Sequence, residues 1–305
     1  MVVVCMSQSS MLSPIGLLLI LVMHAGWATT HGGAAPLRRH DAAAPCLGGP
    51  TCQRFSQRVP SALPTLAAAV HALEGFGNAV QLVQASTRPA PCLIQIFGAR
   101  YGDHALCDRR AVASTPHDCV FYSFGINDDY SFDVQLADAW QCAGVGLDPS
   151  ITHPSMLHPN VSFYQVAART LDARMPQWHM VTTVPGLRSW LRHSYISVLK
   201  MDCEGCEYSV ARDVLLEDPN FWSRVDQFAV EVHLARTWIK SDDHILHLGA
   251  LILQLGYAGL ELVHASVGGC AEADEAMGCH PLLPQSMTCG PGRMCQNYLF
   301  ARRHS

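Results

Sequence analysis

Val120-Phe121-Tyr122-Ser123-Phe124-Gly125-Ile126-Asn127-Asp128-Asp129-Tyr130-Ser131-Phe132 is the stretch from which the fold can be read. Its first five residues are mainly apolar and rich in aromatic side chains, which predicts a short buried strand. Gly125 predicts a sharp bend, and Phe132, Leu136, Ala139, Trp140 and Ala143 recur on one helical face behind it. A strand, a glycine turn and a helix form the opening unit of a parallel α/β sheet. The glycine lets backbone approach a ligand closely, and the helix N-terminus offers N–H groups that lack intrahelical partners.

The alternation continues downstream. Residues 144–147, 161–166, 196–201 and 228–232 predict further strands, and 259–263 with 297–301 a closing antiparallel pair. Together they predict an α/β fold: a Rossmann-like, mostly parallel sheet of seven strands with helices on both faces. Upstream, residues 61–118 predict a helical lead-in. Leu63, Leu66, Val70, Leu73, Phe76, Val80 and Leu82 recur there near helical spacing, interrupted by Gly75 and Gly77. The main domain runs over 119–305 and ends in a cysteine-rich segment.

A chain of 305 residues with 49% hydrophobic and 15% charged residues can build one large core. The net charge of −5 gives no reason to expect a nucleic-acid partner, and the basic residues cluster only as doublets such as Arg109-Arg110. Residues 15–23 are an apolar run followed by Gly26 and Ala28, so 1–28 reads as a signal peptide cleaved after Ala28. Residues 1–10 carry no Lys or Arg, which makes a retained signal anchor the alternative. The run falls short of the roughly 20 apolar residues of a spanning helix, so stable membrane insertion is expected only if the leader is retained as an anchor. Residues 29–60, rich in Ala, Pro, Gly and Arg, read as a flexible stem. There are thirteen cysteines, and Cys270, Cys279, Cys289 and Cys295 lack zinc-ribbon spacing. Disulfides formed in the secretory pathway, in the ER or Golgi lumen or outside the cell, fit better. Asn160-Val161-Ser162 is a glycosylation sequon that suits that route.

Asp148 stands 23 residues after Gly125, at the end of the second main strand. An acid there can accept hydrogen bonds from the ribose hydroxyls of an adenosine cofactor. The positions where a dinucleotide fold needs its second and third glycines hold Asn127 and Tyr130. Asp128 and Asp129 would repel a pyrophosphate but tolerate the sulfonium and amino group of S-adenosylmethionine. The methyl donor is therefore favoured over a nicotinamide dinucleotide.

Asp202 and Glu204 alternate at the end of the fourth strand, and Glu231 and His233 at the end of the fifth, so each pair is expected to point one way. Strand ends of this kind face the ligand crevice of an open α/β sheet. The four groups could supply a general base, with His233 as proton acceptor, or hold a divalent cation that orients an acceptor hydroxyl. A cation could bind there but is not expected. Glu207 is expected to favour the N-terminus of the helix it opens, and Glu204 to brace the Lys200 ammonium. His153, His158 and His179 fall in loop-like stretches that could line the pocket mouth, and Trp190, Trp222 and Trp238 follow core spacing.

The run Leu199-Lys200-Met201-Asp202-Cys203-Glu204-Gly205-Cys206-Glu207 resembles the FkbM-like methyltransferases, especially their methyltransferase-like secretory-protein branch. Lys200, Asp202, Glu204-Gly205 and Glu207 match that family's fourth-strand motif. Ser123 to Asn127 looks like its first-strand turn, Asp148 matches its ribose acid, and Phe97-Gly98 with Cys107-Asp108 is similar to its lead-in. The resemblance spans residues 92–301. It implies a class I methyltransferase that uses S-adenosylmethionine, held by Ser123, Gly125, Asn127, Asp148 and Asp202. It further implies O-methylation of a hydroxyl on a glycan or small metabolite, with Asp202, Glu204 and His233 as catalytic residues and no resident metal. Two departures motivate the alternative of a catalytically inactive binding or interaction module of the same fold. Ser123 stands where many methyltransferases place an acid, and the Leu-Asp pair common before the fourth strand is absent around 184–187.

Overall fold

A computed structural model describes residues 62–86, 90, 92–99, 103–108, 119–168, 181–268, 278–287 and 294–302. The leader and stem expected over 1–60 lie outside the described residues, as do His179, Cys270 and Cys289. The chain opens with helix α1 (Leu66–Ala85), whose first turn is closed by Thr65, the side-chain oxygen accepting the Ala68 N–H. Neither Gly75 nor Gly77 interrupts it. A Cβ at Gly77 would lie 2.4 Å from the Ser286 backbone, so that glycine lets the segment before Met287 pack against the helix.

The rest of the lead-in is not helical. Strands β1 (Ile94–Phe97) and β2 (His104–Cys107) pair antiparallel as a hairpin, tied by the Cys92–Cys107 disulfide. Each strand has four residues, too few for period-2 alternation to stand out from the surrounding sequence.

The main domain follows in order: β3 (Val120–Phe124), α2 (Ser131–Trp140), β4 (Ala143–Leu147), β5 (Met156–His158) and β6 (Val161–Tyr164). A two-residue pair, β7 (Ala167–Ala168) and β8 (Val181–Thr182), precedes α3 (Val184–Leu191) and β9 (Ile196–Met201). Then come α4 (Glu207–Glu217), β10 (Val225–His233), α5 (Asp242–Tyr257), β11 (Leu260–Val267) and β12 (Cys295–Arg302). The central sheet has the order β11-β12-β10-β9-β3-β4-β6-β5. Pairings from β10 through β9, β3 and β4 to β6 are parallel, and β12 runs antiparallel to both β10 and β11. This is the Rossmann-like arrangement expected from the sequence, with eight strands in place of seven. The added strand is β5, an edge strand antiparallel to β6. It is three residues long and carries no alternating pattern, which is why the sequence did not announce it. Asn160, the sequon asparagine, is exposed in the turn that joins the two.

Successive side chains of a strand point to opposite faces, and the sheet uses both. Tyr122, Phe124, Leu199, Met201, Phe228 and Val230 pack on one face beneath α1, α3, α4 and α5. Phe121, Val198, Ala229 and Leu299 pack on the other, beneath α2 and the β1–β2 hairpin. Trp222 is buried as expected, its indole N–H donating to Gln254 Oε1 at 3.0 Å. Trp190 is not core: it is 50% exposed on α3, edge-on to Tyr164, because the short helix presents that position outward. The chain leaves β3 toward β4 on one side and returns through β9 on the other, so the strand order reverses between β3 and β9. A reversal of this kind opens a crevice at the carboxyl ends of the strands.

Candidate functional site

Gly125 ends β3 with φ +72°, a conformation that L side chains rarely adopt, and a Cβ there would lie 1.6 Å from the carbonyl oxygen of Asp202. Only glycine fits where β3 and β9 part. The turn is continued by Asn127, also at positive φ (44°), whose N–H donates to Asp148 Oδ2 at 2.9 Å. The Asn127 carbonyl accepts from His153 Nε2 at 2.8 Å, and His153 packs edge-on against Phe163. Asp148 Oδ1 accepts both the N–H and the hydroxyl of Ser150, at 2.8 and 2.6 Å. The carboxylate is thereby fixed at the end of β4 with lone pairs to spare for a ligand. Phe124, Gly125, Asp148, Ser150, Ala167 and Cys203 are among the residues that line a half-open cleft of about 190 Å³ here.

Ser123, expected to touch the cofactor, is fully buried beneath this cleft. Its hydroxyl donates to Asp133 Oδ2 at 3.4 Å, so it belongs to the floor and not to the wall. Asp133 is itself buried. Burial raises its carboxyl to about pH 7, against the opposing pull of the Lys200 charge and the Ser123 hydrogen bond.

On the other side of Gly125 lies a cluster of ionisable groups. Lys200 Nζ donates to the Gly125 carbonyl at 3.0 Å and stands 3.9 Å from Asp202 Oδ2. It does not meet Glu204, the partner expected from the sequence. His104, brought in by the hairpin, places Nε2 at 3.7 Å from the same Asp202 oxygen. The other oxygen, Oδ1, faces His233 Nε2 at 3.9 Å, and Glu231 Oε2 faces that nitrogen at 3.8 Å. Glu207 does open α4, but it does more than favour the helix N-terminus. It is buried, its Oε2 accepts the Gly205 N–H at 2.9 Å, and its Oε1 accepts both the backbone N–H and Nδ1–H of His233 at 3.1 Å. Trp238 packs on the imidazole at 4.6 Å between ring centres.

The strand alternation expected to align Asp202 with Glu204 does not operate, because β9 ends at Met201. Glu204 and Gly205 take positive φ (43° and 109°) in a turn that the Cys203–Cys206 disulfide closes. The turn still delivers the convergence: ligand atoms of Asp202, Glu204 and His233 lie within 4.8 Å of one another. Charge states follow from the neighbours. Burial alone would raise Asp202, but the His104 hydrogen bond and the Lys200 charge outweigh it and hold the carboxyl far below the usual range. Glu231 rises to about 9 through burial and the adjoining Asp202 charge, and burial and Asp202 also raise Glu204. His233 is lowered by burial, yet Glu207, Glu231 and Asp202 reverse this and raise it to about 9.

Sequence reasoning missed three participants. His104 comes from a hairpin with no visible pattern. The clamp by Glu207 depends on how α4 meets β10. The Cys203–Cys206 bond was legible as a C-x-x-C spacing, the signal that could have found it. With Cys92–Cys107 and Cys119–Cys142 it makes three disulfides among the described residues, which fits an oxidising compartment. No described helix is long and apolar enough to cross a membrane.

No protein family and no curated protein matches the chain by sequence. By structure it is similar to a chain of the complex between the Haloferax volcanii Trm112 methyltransferase activator and a methyltransferase, at 13% identity and a TM-score of 0.33, over 65% of this chain and 88% of that one. It is also similar to the plantazolicin methyltransferase BpumL in complex with a monoazolic desmethylPZN analogue and SAH. That match has 12% identity and a TM-score of 0.29, over 78% of this chain and 85% of that one. BpumL with a pentazolic analogue and SAH gives 10% identity and 0.29, over 79% and 86%. The sheet order itself defines the chain as a Rossmann-like α/β domain with its crevice at the β3/β9 switch point.

Proposed function

We propose that the chain is an S-adenosylmethionine-dependent methyltransferase acting on a hydroxyl of a glycan or small metabolite in the secretory pathway. The observation that carries the reading is the meeting of Gly125, Asp148 and the Cys203–Cys206 turn with Glu204 around one cleft at the switch point of the sheet, with Asp202 on the other side of Gly125. Asp148 would receive the ribose hydroxyls, and the Gly125 turn would let the donor approach the backbone. With Ser123 buried, Asp202 and Glu204 at the end of β9 are the carboxylates offered to the reacting groups.

Transfer to oxygen forms a C–O bond as the C–S bond of the sulfonium breaks, and the acceptor proton must leave. Asp202, held ionised, provides a charged oxygen to orient the acceptor hydroxyl, and the proton passes to Glu204 beside it, whose carboxyl burial and the Asp202 charge make more basic. His233 was expected to be the proton acceptor. Glu207 and Asp202, with Glu231 beside them, raise it to about 9, which favours the ring as a hydrogen-bond donor in the free site. The test is calorimetry with S-adenosylmethionine on wild-type protein and Asp148→Ala, paired with mass spectrometry of glycans and metabolites after incubation with labelled donor. Heat in the wild type, lost in the variant, is expected; a folded wild type that gives no heat would sink the reading.

One observation favours a non-catalytic binding module. The end of β3 offers no side chain for the methionine end of the donor, since Ser123 faces Asp133. That reading predicts cofactor or ligand heat without any labelled product.

A further inference from the structure

We infer that Asp202, Glu204, Glu231 and His233 form a binding site for one divalent cation of Mn²⁺ character. This deepens the methyl-transfer reading, since the cation's task would be to hold the acceptor oxygen, but the binding itself does not depend on it. The argument starts at His233, whose side chain is 4% exposed. Its Nδ1–H is donated to Glu207, a carboxylate only 1% exposed, and Trp238 covers the ring. Fixing one ring nitrogen through a buried carboxylate aims the other nitrogen, from which a bound cation would displace the proton, the arrangement that accompanies metal-bound imidazoles. Among the described residues no hydrogen bond reaches Nε2. It points instead into a space faced by Asp202 Oδ1 at 3.9 Å and Glu231 Oε2 at 3.8 Å.

These separations suit a shared ion. Bonds of about 2.1 Å to nitrogen and oxygen ligands put neighbouring ligands ~3 Å apart and opposite ones ~4.2 Å apart. The group of Asp202, Glu204 and His233, with mutual distances up to 4.8 Å, needs only a small contraction. Glu204 is the exposed member, free to close on the ion from the solvent side, while its turn is stapled by Cys203–Cys206. Asp202 divides its two oxygens between tasks. Oδ2 is turned to Lys200 and His104, leaving Oδ1 for the ion. One imidazole nitrogen among carboxylate oxygens is a mixed but mainly hard donor set, which suits Mn²⁺ better than a thiolate-seeking metal.

The test is titration of the full-length, disulfide-intact chain with Mn²⁺, following loss of the free-ion signal by electron paramagnetic resonance. One equivalent bound per chain is expected. Glu231→Gln and the exposed Glu204→Gln should each weaken binding at least tenfold, and Glu207→Gln, which is no ligand itself but holds the imidazole and the Gly205 turn, by about 10- to 100-fold. A folded chain that takes up less than one equivalent overturns the site, as does an affinity indifferent to both Glu204→Gln and Glu231→Gln. Calorimetry with S-adenosylmethionine on the same sample separates the two readings. Mn²⁺ uptake without donor binding sustains the cation site and removes the methyl-donor reading; donor binding without Mn²⁺ uptake does the reverse.

Discussion

Asp133 offers a test of the floor of the cleft that needs no ligand. It is 1% exposed, its Oδ2 accepts one long hydrogen bond from Ser123, and among the described residues its Oδ1 has no hydrogen-bond partner. Its carboxyl is raised from 3.8 to about 7, chiefly by burial. Below about pH 3 the folded and unfolded chains both hold the proton, and the group costs the fold nothing. As pH rises toward 7 the unfolded chain ionises first, so native stability falls across that window and stays lowered above it. A shift of about three pKa units corresponds to roughly 4 kcal/mol as an upper bound, at 1.36 kcal/mol per unit. Asp133→Asn keeps the shape and an acceptor for Ser123 but cannot ionise. The variant should come within about 0.5 kcal/mol of the wild type at pH 4 and exceed it by about 2–4 kcal/mol at pH 8. Urea unfolding at pH 4, 6 and 8 under non-reducing conditions measures this, and other titrating groups cancel in the difference. A difference that does not change with pH, or a variant weaker than wild type at pH 8, would show that Asp133 is not a buried neutral acid.

Gly125→Ala should cost more than about 3 kcal/mol. The left-handed backbone alone costs roughly 1–2 kcal/mol for alanine, and the Asp202 carbonyl must also move; a melting temperature within two degrees of wild type would refute the close approach of β3 and β9. Trp222→Phe should lose about 1–3 kcal/mol by stranding the buried Gln254 Oε1, measurable by denaturant unfolding; a neutral outcome would mean that oxygen finds another donor. Asp202→Asn should reduce turnover at least tenfold with melting unchanged, and full activity in the labelled-donor assay would remove Asp202 from the reaction.

How much of this was legible depended on whether the signal was local. The bounds of β3 and β9 can be read to the residue, because each is a mainly apolar run stopped by Gly125 or by Asp202. The closing pair β11–β12 was legible as a pair but not in its bounds, since β11 continues through the more polar 264–267. The β1–β2 hairpin and edge strand β5 were not, since three or four residues cannot display a period. Asp148 was found because its spacing from Gly125 is set by one strand–helix–strand unit. His104 and Glu207 escaped because their places follow from the sheet order and from the seat of α4 on β10, which no local pattern encodes.

Asp202 and Glu204 make the sharper case. Their convergence was anticipated on strand alternation, yet the strand has already ended at Met201, and Glu204 lies in a left-handed turn closed by a disulfide. The two carboxylates reach His233 all the same, because the turn folds back toward the end of β10. Residue types and spacing can therefore identify the members of such a cluster while misplacing the backbone that carries them. The roles are then set by partners beyond the motif. Lys200 and His104 keep Asp202 charged, and Glu207 holds His233 as a fixed ring with one nitrogen facing Asp202 and Glu231. An imidazole so held is positioned to donate to an acceptor or bind a cation, and the Mn²⁺ titration tests the second of these directly.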